Sequence, residues 1–293
     1  GGHPLLCPTC HRCTTSYFFF FIVSDPEHGA FDVAAAERLW NAQLEMSDVT
    51  GNTCMNQIVA ESNEAMKKEI DWFVNISDYP FLIDSSAQEV RAFGVKYATE
   101  IGVADRAIHN SINASITDEE LAALKESDVD SAIVLTFNAI EKGTKGKMEM
   151  MTKAAGGAKK SLMEYAKECG ITRPLIDVAA MPLGAGSGAT YRAVIAIKAL
   201  FGLPVGAGFH NGASAWDWMK KWKKTHKEAF APVDIGSNLV AGIVGADYYL
   251  YGPIENAPMI FPAAAMVDIM KAESIEELGL EVIAEKHPKK TTL

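Results

Sequence analysis

Short β-branched and aliphatic runs alternate along this chain with longer stretches in which apolar residues recur at helical spacing. That is the pattern of parallel strands joined by crossover helices. The runs predict eight strands, near residues 16–23, 54–60, 80–84, 107–112, 131–137, 175–180, 204–209 and 246–251. Eight such units predict an α/β fold, a (β/α)8 TIM barrel. Thr117, followed three residues later by Glu120, reads as a capping box that starts a helix. Gly102 and Gly170 close helical patterns just before the next strand, where a left-handed C-cap belongs. The polar stretch 285–293 is expected to fray.

Length and composition are consistent with that architecture. The 293 residues suit a single domain of about 250 residues with additions. The expected barrel domain spans 25–284, preceded by a divergent or truncated N-terminal segment over 1–24 that includes the first strand. Hydrophobic residues make up 48% of the chain and charged residues 22%, enough to bury a large core. A formal charge of −10 leaves no footprint for nucleic acid or anionic lipid, so small molecules and proteins are the expected partners. The longest candidate for a membrane span, Tyr17 to Val23, is only strand length. No signal peptide is evident, and a cytoplasmic location is expected.

In such a barrel the active site forms at the C-terminal ends of the strands, so polar residues that interrupt apolar runs there are the first suspects. They recur regularly. Asp84 ends Phe81-Leu82-Ile83, Asn110 ends Ala107-Ile108-His109, Asn138 follows Ile133 to Phe137, Asp177 ends Leu175-Ile176, and His210-Asn211 ends the seventh strand. Asp48, Asn52 and Asn113 lie nearby in the same reading. Any one of these residues could be a helix cap or a turn former. As a set they suit a flat heterocycle with donor and acceptor edges, because a carboxylate accepts two N–H bonds while an amide both donates and accepts. A reduced pterin has such an edge.

Longer segments carry a resemblance. They include Leu44-Glu45-Met46-Ser47-Asp48-Val49-Thr50-Gly51-Asn52, Asp105-Arg106-Ala107-Ile108-His109-Asn110-Ser111-Ile112-Asn113, Pro182-Leu183-Gly184-Ala185-Gly186-Ser187-Gly188 and Leu250-Tyr251-Gly252-Pro253-Ile254-Glu255-Asn256. With these, from about Asp25 to His287, the chain resembles the H subunits of tetrahydromethanopterin S-methyltransferase, which belong with the pterin-dependent corrinoid methyltransferases. The resemblance implies that Asp84, Asn110 and Asp177 hold the pterin ring, and the strand-end pattern adds Asp48, Asn113 and Asn138 as further candidate binding residues. It implies that Asn211 reaches the nitrogen bearing the methyl group, so that Asn211 and Asp84 are the catalytic pair. The implied substrate is methyl-tetrahydromethanopterin, and the implied acceptor is a cobamide held by a corrinoid-binding partner subunit. Membrane-embedded, sodium-exporting subunits, methylation of coenzyme M, peripheral attachment and a homodimer are implied as well. Two alternatives stay open: a soluble barrel using tetrahydrofolate, and a non-catalytic scaffold barrel.

Other features carry less. His109 and His210 each neighbour a key asparagine and are expected on the opposite side of their strands, as packing residues. Gly184 to Gly188 precedes a helix expected near Thr190 and could cradle an anion. Cys7, Cys10, His11 and Cys13 lack a second ligand cluster, so no metal site is expected. Trp216, Trp218, Trp222 and Met219 are expected to pack as a stripe with a solvated face of Lys220, Lys221, Lys223 and Lys224, a docking surface being the alternative.

Overall fold

The computed structural model describes the backbone of residues 14–17 and all of residues 23–293. The fold class is α/β, a (β/α)8 barrel, with strand order β1-β10-β9-β8-β7-β6-β5-β4. The elements in chain order begin with strands β1 (Thr14–Tyr17), β2 (Val23–Asp25) and β3 (Ala30–Phe31), followed by α1 (Val33–Thr50), β4 (Cys54–Val59), α2 (Asn63–Ile76) and β5 (Phe81–Asp84). Next come α3 (Gln88–Glu100), β6 (Ala107–Ile112), α4 (Asp118–Glu126), β7 (Ser131–Leu135), α5 (Thr144–Thr152), α6 (Leu162–Glu168) and β8 (Arg173–Asp177). The chain continues through α7 (Ser187–Phe201), β9 (Val205–Ala207), α8 (Phe209–Ser214), α9 (Asp217–Trp222), α10 (Phe230–Ile243) and β10 (Tyr248–Pro253), and ends with α11 (Ala257–Glu276) and α12 (Pro288–Thr292).

Seven of the eight expected strands appear within a few residues of their predicted bounds. The first does not match as drawn: β1 ends at Tyr17, and Val23 to Asp25 instead pair antiparallel with Ala30 and Phe31 in a hairpin. Residues 18–22 and the Cys7, Cys10, Cys13 cluster lie outside the described residues. Contacts divide the chain into two compact units, one of residues 17–38 and 55–178, the other of residues 1–16, 39–54 and 179–293.

In the unit of residues 17–38 and 55–178, neighbouring strands run parallel with Val59 opposite Asp84, Asp84 opposite Asn110, Asn110 opposite Ile133, and Leu135 opposite Asp177. Residues paired in a parallel ladder share a face, and alternate residues along a strand point the same way. Gln57, Asp84, Asn110 and Asp177 therefore lie on one face of this sheet. The other face packs on helices. A Cβ added to Gly94 of α3 would lie 2.5 Å from Ile83 Cγ2, so only glycine lets that helix approach the strand so closely. Behind β6, a fully buried fork forms between Arg91 of α3 and Glu120 of α4, at 2.6 and 2.9 Å. Thr117 does cap α4 through the Glu120 backbone N–H at 3.2 Å. The Glu120 carboxylate bonds Arg91 instead of closing the expected box, because the buried guanidinium needs a counter-charge. Ser161 and Glu164 form a complete capping box at α6.

In the other unit, β9 and β10 pair with Gly206 opposite Tyr248, where a side chain on Gly206 would collide with the Tyr248 carbonyl. Phe209 stacks near Tyr191 and meets Tyr249 edge-on. The tail expected to fray is ordered instead: α12 packs so that Thr291 and His287 lie against Gly51, and Lys289 pairs with Glu276. Gly102 and Gly170 adopt φ of +74° and +75°, the left-handed caps expected of them.

Candidate active site

Asp84 ends β5 and is half-buried. Gln57 Nε2 donates to its Oδ2 at 2.5 Å, and Asn110 Nδ2 donates to the same oxygen at 3.2 Å. No side chain among the described residues donates to Oδ1. Burial pushes the Asp84 carboxyl up to about 6, against the pull of the Gln57 bond, the Arg91 charge and the Ser85 backbone N–H. Arg91 also donates to the Ser85 carbonyl, so the guanidinium that holds Glu120 braces the residue after Asp84 as well.

Asp177 ends β8, is 6% exposed, and shares the face of Asp84 and Asn110. Its carbonyl accepts from both the backbone N–H and the hydroxyl of Thr136, each at 2.9 Å. Lys147 of α5 is buried and donates to the carbonyl of the next residue, Val178, at 2.7 Å. Burial pulls its ammonium down to about 8, and the Asp177 charge opposes that shift. Two carboxylates, Asp84 and Asp177, and two amides, Gln57 and Asn110, thus share one face near the C-terminal ends of the parallel strands β4, β5, β6 and β8.

Other expected site residues have different local surroundings. Asn138 is buried and folds its own loop: Oδ1 accepts from the N–H groups of Ile140 and Glu141 at 2.9 Å, and Nδ2 reaches the Gly146 carbonyl at 3.4 Å. Asn113 likewise bonds Ser111 and Ser115 within its own turn. Both behave as the turn-forming asparagines that the pattern also allowed. Asp48 departs furthest from its expected place. It lies on the last turn of α1, ahead of β4 rather than at a strand's C-terminal end, where it is exposed and pairs with Lys286 at 3.3 Å. Asn52 is buried, and with its amide assigned to suit its neighbours it bonds Asp268 and the Ala265 N–H.

Asn211 belongs to the other compact unit. The strand expected over 204–209 stops at Ala207, and Asn211 is exposed in the short helix α8. His210, also on α8 and not on a strand, holds Asp234 at 2.6 Å, and a side chain on Gly252 would strike its ring. His109 meets its expectation. It is fully buried on the helix side of β6, 3.3 Å from Glu120, and burial with the Arg91 charge pulls its imidazole down to about 3, so it stays neutral.

The glycine run leads into α7 through Gly186 at φ +105°. The tryptophans of α9 are not a packed stripe: Trp218 and Trp222 are 51% and 40% exposed, and only Met219 is buried. Trp216, Trp218, Trp222 and His226 form a ladder with ring centroids 4.9, 5.4 and 3.8 Å apart. Among the described residues no group of three or more His, Cys, Asp or Glu is placed to hold a metal, and no helix is long and apolar enough to cross a membrane.

By fold, the chain is a (β/α)8 protein similar to dihydropteroate synthases. The 7,8-dihydropteroate synthase of Vibrio fischeri ES114 aligns with a TM-score of 0.60 at 12% identity, over 91% of this chain and 94% of that one. The synthase of Coxiella burnetii, solved with pteroic acid, aligns with a TM-score of 0.57 over 89% and 94%. By sequence, the model of the tetrahydromethanopterin S-methyltransferase MtrH subunit matches residues 1–283, and the chain belongs to that family of methyltransferases. The H subunit of the Methanosarcina barkeri tetrahydromethanopterin S-methyltransferase is 57% identical over 293 aligned positions, 98% of this chain and 93% of that protein. Its counterpart from Methanothermobacter thermautotrophicus is 45% identical over 98% and 93%. The family match starts at residue 1, so it takes in the N-terminal stretch expected to be divergent.

Gln57 and Lys147, beside Asp84 and Val178, are residues of the candidate site that the strand-end pattern does not single out. A signal for Gln57 exists: Asn56-Gln57 interrupts the apolar run Cys54 to Val59, and both residues are fully buried. Lys147 has none, because a lysine in the amphipathic stretch 144–152 reads as a solvated charge.

Proposed function

We propose that this methyltransferase binds methyl-tetrahydromethanopterin at the strand ends of β5, β6 and β8 and transfers its N5-methyl group to the cobamide of a corrinoid-binding partner subunit. The observation that carries the reading is Asp84. Both of its side-chain donors converge on one carboxylate oxygen, so the other is left to accept an N–H from a ring edge. Asp177 offers a second carboxylate on the same face, and the set suits a ring that presents several N–H donors.

Cobalt(I) in a corrinoid supplies a strong nucleophile when a partner presents it. The chain's own task is then to orient the methyl donor and assist the leaving nitrogen. Asp84, Asn110 and Asp177 orient the ring, which matters because displacement at carbon needs an in-line approach. A methyl on a tertiary amine leaves only as the nitrogen gains positive charge, so a hydrogen bond there strengthens as the proton arrives. Asn211, carried over from the family pattern, is assigned to donate that bond.

The subunit names of the relatives support membership of a multi-subunit complex, and we read this chain as its peripheral, cytoplasmic pterin-binding part, with coenzyme M as the final acceptor and membrane-embedded partners. The stacked ladder of α9 and the exposed Lys221, Lys224 and Lys227, which make no ion pair among the described residues, support a protein partner on that face. Exposed Ile195 of α7, Val240 and Ile243 of α10, and Met266 and Met270 of α11 form apolar surface that supports a homodimer.

The test mixes the purified protein with cob(I)alamin and either methyl-tetrahydromethanopterin or methyl-tetrahydrofolate, and follows the corrinoid spectrum. Methylcobalt should form with the methanopterin. Formation with the folate alone would replace the substrate, and formation with neither would remove the catalytic reading.

A further inference from the structure

Helix α8 spans six residues, Phe209 to Ser214, too few to be stable on its own hydrogen bonds. Its course is set by what it is tied to. Phe209 is buried and stacks on Tyr191 at 5.7 Å, and its carbonyl accepts from the Ser237 hydroxyl of α10 at 3.3 Å. The Gly212 carbonyl accepts from the Leu183 N–H at 3.2 Å. Between these lies a side-chain tie, Nδ1 of His210 to Oδ1 of Asp234 in α10, at 2.6 Å. A carboxylate only accepts, so Nδ1–H is the donor. Asn211 follows directly and is exposed, and its side-chain amide has no hydrogen-bond partner among the described residues.

Asp234 is 3% exposed, and a leucine in α10 would fill its place without the cost of burying a charge. Its surroundings are built around the histidine. Its second oxygen accepts from the Asn256 amide at 3.4 Å, and its backbone carbonyl accepts from Ser237 at 2.7 Å and Asn238 at 3.1 Å. At the end of β10 a Cβ on Gly252 would come within 2.7 Å of the His210 ring, so a residue without a side chain is what admits the imidazole there. Phe230 meets the same ring edge-on at 6.3 Å. The imidazole is thereby fixed on several sides, while its chain neighbour Asn211 presents an amide with no local bond to aim it. The direction of that amide then depends on the backbone of α8, and misplacing a group by about 1 Å can cost on the order of a hundredfold in rate.

We propose that His210 and Asp234 are positioning residues for the transfer step: their hydrogen bond clamps the first turn of α8 to α10 and so aims the Asn211 amide at the nitrogen that bears the methyl group. The inference rests on the role given to Asn211 above. It assigns to His210 and Asp234 no contact with substrate. Their effect falls on the rate at saturating pterin, with pterin affinity largely spared.

A double-mutant cycle tests it. Kd for methyl-tetrahydromethanopterin is measured by equilibrium titration, and transfer to cob(I)alamin at saturating pterin by the corrinoid spectrum. Asp234→Leu and His210→Leu should each slow transfer about tenfold or more, with Kd within about twofold of the wild type. In an Asn211→Ala background Asp234→Leu should slow transfer by no more than about a further twofold, because the pair acts through that amide. His210→Asn, which keeps a donor at the place of Nδ1, should recover most of the rate. A wild-type rate in Asp234→Leu, equal slowing in both backgrounds, a loss of affinity in place of rate, or a His210→Asn as slow as His210→Leu would each overturn the proposal. If Asp234→Leu does not fold, the isosteric Asp234→Asn decides. It must slow transfer about threefold or more and shift the side-chain amide resonance of Asn211 in the free protein, since a neutral acceptor holds the imidazole more weakly. An unchanged rate or an unchanged resonance overturns the proposal. A wild-type rate in Asn211→Ala removes the reading beneath it, an outcome distinct from one in which Asn211→Ala is slow and Asp234→Leu is not.

Discussion

The side-chain amide of Gln57, on β4, donates a 2.5 Å hydrogen bond to Oδ2 of Asp84 at the end of β5. Gln57 is fully buried and its own Oε1 has no partner, so the residue gives up one satisfied polar atom to hold the carboxylate. Leaving a buried acceptor unmade costs about 1–3 kcal/mol, a cost that a core leucine would not carry. Gln57→Leu is therefore expected to leave thermal stability equal to the wild type or higher, while weakening pterin binding about three- to tenfold, the scale of one hydrogen bond. Parallel melting curves and titrations check both halves.

The raised carboxyl of Asp84 makes binding depend on pH. In the proposed site an ionised Asp84 is the acceptor, and burial pushes its carboxyl up to about 6. Above that value affinity should be flat, and below it Kd should rise toward tenfold per pH unit as the proton competes with the ring. For folding the sign is opposite to that of a salt-bridged aspartate. The folded value lies above the ordinary 3.8, so the contribution of this group to stability is full below the unfolded value and is lost as pH rises through about 6. Asp84→Asn should flatten the pH dependence of binding, and titrations between pH 5 and pH 8 on both proteins measure it.

Arg91 and Glu120 form a pair with almost no solvent contact, and Arg91 also holds the Ser85 carbonyl beside Asp84. Removing one partner leaves the other charge buried and uncompensated. Arg91→Met should destabilise the fold by about 3–5 kcal/mol, read from urea unfolding, and Glu120→Gln should cost less because the amide still accepts from the guanidinium. Equal, negligible losses in both would show that the pair is not a structural brace.

The exposed ladder of α9 separates partner docking from chemistry. Lys221→Glu with Lys224→Glu is expected to slow methyl transfer to a partner-borne corrinoid severalfold, more strongly at low ionic strength. Transfer to free cob(I)alamin should be unchanged, and competition between the two acceptors in one assay reads the difference.

Much of this architecture is legible in the sequence. Seven strands announce themselves as apolar runs because each is buried on both faces, and Asp84, Asn110 and Asp177 stand out as polar residues closing those runs. The departures have a common physical origin. Asn113, Asn138 and Asp48 belong to the same residue types as Asp84, Asn110 and Asp177, but an amide or carboxylate beside a turn can satisfy its neighbouring N–H groups as readily as a substrate, and only the hydrogen bonds show which of them do so. Asn211 reads as a strand-end residue because Gly206 to Phe209 is apolar; Gly208 ends the extended backbone and α8 begins at Phe209. Hydrophobicity puts the tryptophans of α9 inside, yet they cover one another and need no core. Lys147 is invisible because the carbonyl that its ammonium meets, that of Val178, comes 31 residues further along the chain.

The central claim is that the strand-end carboxylate of Asp84 holds a pterin ring, and calorimetric titration of methyl-tetrahydromethanopterin into the wild type and Asp84→Ala tests it most directly. The account predicts saturable binding by the wild type and at least a tenfold loss of affinity in the variant, with the fold intact by circular dichroism. Equal affinity in the two proteins would contradict it.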